Sequence, residues 1–160
     1  MSKSLKRVTA ALEALGMERE IVEVGAARTA AEAAASLGCE VAQIANSIIL
    51  LGQSSGRVRL FLTSGAQRVD VARASALAGE PLGKADAEVI RAQTGFAIGG
   101  VAPLGYLEPP AAWVDRSLLA FDQIYTAAGT PRHLFALSPA ELQKISGAEI
   151  ADFIEISRQM

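Results

Sequence analysis

The sequence is poor in the residues that most often carry chemistry. Its 160 residues include one cysteine, Cys39, and one histidine, His133. A lone cysteine excludes an internal disulfide and a cysteine-based zinc site, and a single histidine adds too little for a transition-metal centre. Neither a metal nor a cofactor is therefore expected. Several signatures are also missing: a Gly-x-Gly-x-x-Gly run after a strand, a phosphate-binding Walker loop, a His-Glu-x-x-His pair and a nucleophile elbow. Positive charge is not in excess either. The formal net charge is −2, so an RNA contact would need a local basic patch rather than bulk attraction. No apolar run approaches the roughly 18 residues that cross a bilayer. The first fifteen residues lack the apolar core and cleavage site of a signal peptide, while Leu5, Val8, Leu12 and Leu15 recur at helical spacing. The expectation is a cytoplasmic protein with no membrane partner.

What is present reads as one compact domain over residues 1–160. Half the residues are apolar and a fifth charged, the balance of a globular chain with a real core. After the first helix, residues 21–24 suggest a β-branched strand. Thr29 and Glu32 stand at capping-box spacing ahead of a helix that Gly38 stops. A helical turn at 41–45 leads into a hairpin, with strands at 48–51 and 58–62 around a glycine-bounded turn. Helices are expected at 69–77, with Asp70 as its cap, and at 85–93, closed by Gly95. Short strands follow in "AAWVD", "QIYTAAG" and "HLFALS", with a helical turn in "RSLLAF". Ser138, Pro139 and Glu141 then open another helix with a capping box, and the last thirteen residues suggest a final one. Strands and helices mix without regular βαβ alternation, which points to an α+β fold with a mixed, largely antiparallel sheet flanked by helices.

Few residues stand out as functional on their own. His133 beside a strand fits a structural hydrogen-bonding role, Cys39 a half-buried spacer, and Asp70, Asp86 and Asp115 fit caps. Lys3, Lys6 and Arg7 share one end of the first helix as a solvated face or, second, a phosphate-contacting patch. The stretch "FAIGGVAPLGY", residues 96–106, is less ordinary. It offers little except backbone. It is either a tight connection or a loop whose N–H groups receive an ester or phosphate oxygen.

Over nearly its whole length the chain resembles the YbaK/EbsC-like aminoacyl-tRNA deacylases, relatives of the editing domain inserted in bacterial prolyl-tRNA synthetases. The segments that carry the resemblance are "RTAAEAAASLGCEVAQIANSIIL", "TSGAQRVDVARASALAG", "ADAEVIRAQTGFAIGGVAPLGY" and "WVDRSLLAFDQIYTAAGTPRHLFALSPAELQKISG". The resemblance implies hydrolysis of the ester joining a small, wrongly attached amino acid to tRNA, in trans, with a synthetase or elongation factor as a possible partner. It implies Asn46, Ser47, Gly99, Gly100 and Val101 at the reacting ester. Thr29, Ala102, Pro103, Gly105 and His133 would surround the substrate, His133 in a "G-x-x-x-H" context. Most family members carry a lysine where this chain has Asn46, and Lys84 and Arg68 are the candidate replacements for its charge. The alternative is a non-catalytic module that binds aminoacyl-adenosine or a related small molecule. Substitution of Gly100 by alanine is expected to abolish activity at little cost in stability.

Overall fold

Side-chain and glycine caps delimit most of the helices, as their sequences predict. The computed structural model describes residues 2–25, 27 and 29–156. Helix α1 (Lys3–Ala14) starts where the Ser2 hydroxyl accepts the Leu5 amide. Helix α2 (Ala30–Leu37) starts at Thr29, whose hydroxyl accepts the Glu32 amide, and ends on left-handed Gly38. Helix α3 (Val71–Ala78) is capped by Asp70, which accepts the amides of Ala72 and Arg73. Helix α5 (Pro139–Ser146) carries the full Ser138–Glu141 capping box. Helix α4 (Ala87–Thr94) follows Asp86, but that carboxylate makes no capping bond. The cap expected there is one of position only.

The strands are β1 (Ile21–Glu23), β2 (Ile44–Gly52), β3 (Val58–Ser64), β4 (Leu82–Lys84), β5 (Ala111–Asp115), β6 (Ile124–Ala127), β7 (His133–Leu137) and β8 (Glu149–Ala151). They form one sheet in the order β1-β7-β6-β2-β3-β5-β8, and β4 pairs with β2 outside that path. Pairings β1–β7, β2–β3, β2–β4 and β6–β7 are antiparallel; β2–β6, β3–β5 and β5–β8 are parallel. The domain is α+β with a mixed sheet.

Side-chain alternation along β2 and β3 divides the core between the two faces. Ala45, Ile49 and Leu51 join Val58, Leu60 and Leu62 in the main core, with Leu5, Val8 and Leu12 of α1 and Ile90 of α4. The opposite face is covered at one end by α2, through Ala33 and Ala34 on Ile44. At the other end Phe61 stacks on Trp113 at 5.0 Å and meets Phe153 edge-on at 5.0 Å.

Two expectations fail here. The tail is not a helix: β8 pairs with β5, and Ile154 bridges Val69. The outer edge of β5 needs a partner, and Ala148, Ala151 and Phe153 need burial; an extended chain meets both demands. The tail's last residues, 157–160, lie outside the described residues. The central strand, moreover, starts at Ile44, four residues before the expected start. The short β4, in "LGK", has too little pattern to announce itself. Among the described residues, no helix is long and apolar enough to cross a membrane.

Candidate functional site

Strand β2 has neighbours on both sides, but one side is interrupted. Its Ile44 and Ala45 pair with β6, and its Leu50, Leu51 and Gly52 pair with β4. Residues 46–49 therefore have β3 on one edge and no strand on the other. The Gly52 amide donates to Arg57 O, and the Gly65 amide donates to Ile44 O. Even-numbered residues of β2 thus turn their main-chain groups towards β3. The alternation of an antiparallel ladder turns those of Ser47 and Ile49 into the gap.

A cleft of about 990 Å³ opens at this gap. Every residue from Ile44 to Leu50 lines it, because the strand is approached edge-on and offers both side-chain faces as well as its backbone. Ala27, Thr29, Ala30 and Ala33 close it on the α2 side, Gly83, Lys84 and Ala85 on the β4 side. Ile98, Gly99 and Val101 line it from the glycine loop, and Thr130 to Leu134 from the start of β7. Its apolar walls hold mostly small or aliphatic side chains, with no phenylalanine, tyrosine or tryptophan among the described lining residues.

The polar groups are few and under-used. The Ser47 hydroxyl is buried and has no hydrogen-bond partner among the described residues. Asn46 is half-buried, and among the described residues its side-chain amide is also unpaired. In the glycine loop the Gly100 amide donates to Ala97 O, so it closes a turn rather than facing a ligand. The amides of Gly99 and Val101 have no acceptor among the described residues. Thr130 Oγ1 accepts the Arg132 amide and lies 2.6 Å from His133 Nδ1. That bond fixes the ring and leaves Nε2 with Glu23 Oε2 beside it at 4.0 Å.

The residues expected from sequence thus divide. Asn46, Ser47, Gly99, Val101, Thr29 and His133 all line the cleft. Gly100 is buried behind it: a Cβ there would stand 2.7 Å from the Cα and C of Thr130. The expectation that Gly100→Ala spares stability is therefore revised, because two backbones meet where that methyl would go. Ala102, Pro103 and Gly105 are not among the lining residues. Ala102 is fully buried and its carbonyl accepts the Tyr106 hydroxyl; burial pushes that hydroxyl's pKa up. Gly105 lies against Arg7 and Phe96. Arg7 itself donates to Gly95 O at 2.9 Å and sits 5.1 Å over the Phe96 ring. It clamps the start of the loop to α1. Of the two candidate cations, Lys84 lines the cleft and Arg68 does not.

Cys39 is half-buried, and burial raises its thiol pKa, consistent with a spacer. Sequence reasoning missed Thr130 and Arg132, which share the "GTPRH" run with His133. It also missed Ala30 and Ala33, whose spacing of three along α2 puts them on one face.

Fold and site together define an α+β domain whose cleft brings an interrupted strand edge together with small apolar side chains. Residues 24–145 match the sequence profile of the aminoacyl-tRNA editing domain, and the chain belongs to that family. It is 44% identical to a solved structure of a candidate trans-editing enzyme for prolyl-tRNA synthetase, with a TM-score of 0.90 over 97% of this chain and 99% of that one. A structure from work on epitope backbone grafting onto scaffold proteins has 42% identity and a TM-score of 0.90, covering 98% of this chain and all of that one. The uncharacterised protein YwhH of Bacillus subtilis is 27% identical over 148 residues, 92% of this chain and 94% of that protein.

Proposed function

We propose that the protein hydrolyses, in trans, the ester between a small mischarged amino acid and the 3′ end of tRNA. The observation that carries this reading is the interruption beside β2. There the unpaired groups of Asn46 and Ser47 share one cleft with the unused amides of Gly99 and Val101. An aminoacyl ester is already activated, so no covalent nucleophile is required. Water attacks the ester carbonyl, and the negative charge that develops on its oxygen is received by the Gly99 and Val101 N–H groups. Collapse of the intermediate releases the amino acid's carboxyl and returns the oxygen to the ribose with a proton. Asn46 and Ser47 orient the water or the neighbouring ribose hydroxyl, which lowers the entropic part of the barrier. His133, held by Thr130, contacts the amino group or the ribose. Ala27, Ala30 and Ala33 offer an apolar wall to the amino acid's side chain.

A second reading is a binding module that holds aminoacyl-adenosine without cleaving it. Asn46 favours it, because an amide supplies no positive charge beside the ester. A panel of tRNAs mischarged with alanine, serine, cysteine or threonine separates the two. Deacylation above background for at least one member is the expected result. Binding without hydrolysis for every member would overturn the hydrolase in favour of the module.

A further inference from the structure

The chain as a whole is acidic, with 17 carboxylate and 15 cationic side chains. The cleft is not. Among its described lining residues there is no aspartate or glutamate, while Lys84, Arg132 and His133 all line it. Lys84 is exposed at the end of β4, where it registers with Leu50 at one end of the gap. Arg132 is exposed in the connection from β6 to β7, the strand pair that borders the other end. Among the described residues neither side chain has a carboxylate within ion-pairing distance. Elsewhere on the protein Arg19, Arg57, Arg59 and Arg116 are each paired to a carboxylate, whereas Lys3, Lys6, Arg68, Arg91 and Lys144 also have none among the described residues but do not line the cleft. Two uncompensated cations thus stand at the two ends of a gap four residues long, about 13 Å at 3.3 Å per residue. Among its described residues the lining between them holds no carboxylate to repel an anion, and its one aromatic ring is the imidazole of His133.

We infer that Lys84 and Arg132 form a phosphodiester clasp, which holds the backbone of a single-stranded RNA 3′ end across the cleft mouth while the terminal aminoacyl group enters it. The inference rests on the hydrolase reading for the identity of that aminoacyl group, but not for the phosphate contacts themselves. It gives an acidic protein a local route to RNA, since oppositely charged side chains at a low-dielectric cleft raise the local concentration of an anion. It also moves the missing positive charge. The cation absent at Asn46 is supplied from β4 and from the β6–β7 connection, where it meets phosphate rather than the ester. Recognition of this kind is indifferent to base sequence.

The test uses a short RNA ending in CCA, with alanine joined to its 3′ terminus by an amide so that hydrolysis cannot interfere. Its affinity is followed by fluorescence anisotropy from low to moderate salt. Each phosphate contact on a single strand contributes about 0.7 to the slope of log K against log salt. Lys84→Ala and Arg132→Ala should each flatten the slope by about that amount and weaken binding. The double variant should lose about 1.4, and Lys84→Arg should restore the single contact. Adenosine monophosphate in millimolar excess should compete poorly, because the clasp spans more than one phosphate. Wild-type affinity and slope in both alanine variants would overturn the clasp, as would full displacement by the mononucleotide. With the ester-linked RNA, the kcat/KM ratio between it and phosphate-free alanyl-adenosine should fall in both variants. Altered binding slopes in a protein that cleaves neither ester would support the clasp while removing the hydrolase.

Discussion

An asparagine amide can both donate and accept, whereas a lysine ammonium only donates. Under the proposed hydrolysis, that difference at position 46 would decide what can be oriented: Asn46 would offer a water or a ribose hydroxyl an acceptor as well as a donor. Asn46→Ala should therefore lower kcat/KM about tenfold, the worth of one hydrogen bond of roughly 1.4 kcal/mol. Asn46→Lys should not recover it, because the charge is already placed elsewhere around the cleft; faster deacylation by the lysine variant would refute this assignment. The glycine loop gives a paired experiment. Gly99 sits at φ +84°, and a Cβ there would meet Pro131 at 3.7 Å, an ordinary van der Waals contact. Gly99→Ala should cost the left-handed strain of about 1–2 kcal/mol and leave the surroundings in place. Gly100→Ala should cost about 1–3 kcal/mol by overpacking and displace the Thr130 turn that positions His133. Urea melts of both variants, read beside their deacylation rates, check the contrast: a Gly100→Ala protein of wild-type stability would contradict the contact.

At the scale of elements, the helices were legible because each is announced by local chemistry. Thr29, Asp70 and Ser138 bond the amides that their positions predict. The tail was not legible, because what fixes it is remote: the open side of β5 and the Phe61–Trp113 pair that Phe153 covers. Its apolar residues fit a helical pattern equally well, and periodicity cannot arbitrate between two partners it does not see. Phe153→Ala should cost about 3–5 kcal/mol, measured by chemical denaturation, whereas a frayed terminal segment would lose almost nothing. The site was legible in part for the same reason. Gly99 could be picked from an unusual run, and Asn46, Ser47 and His133 from the family resemblance, but the interruption beside β2 arises from β4 and β6 approaching from about 30 and 80 residues downstream. Ala102, Pro103 and Gly105 belong to the same unusual run, yet Ala102 accepts from Tyr106, Gly105 lies against Phe96 and Arg7 of α1, and Pro103 is buried away from the cleft lining.

For the whole molecule, an electrostatic network ties the α3–β4 connection to the β2–β3 hairpin. Glu80, on the connection between α3 and β4, accepts from the Ser54 and Ser55 amides and the Ser55 hydroxyl, and pairs with Arg59 at 2.7 Å. The Ser55 amide is the main reason its pKa falls from 4.5 to about 2, helped by the Ser55 hydroxyl, the Ser54 amide and Arg59 against the opposing effect of burial. A carboxylate whose pKa is lowered on folding binds protons more weakly when folded than when unfolded. Its stabilisation is therefore complete above the unfolded value and is lost as pH falls from about 4.5 towards 2. The stability gap between wild type and Glu80→Gln should be wide at neutral pH and narrow steadily across that window. A gap that stays constant would show that the carboxylate's charge is immaterial.

The interruption of the sheet has a consequence beyond substrate binding. A strand edge without a neighbour is a template on which another chain can add, and proteins ordinarily blunt such edges. Here the bare stretch is four residues, hemmed by β6 and β4. That is shorter than the six or seven residues that interlock in fibrils, and the glycine loop and the 130–134 segment stand around it. The protein can leave main-chain groups unsatisfied for a visitor because the opening is too short for one of its own kind.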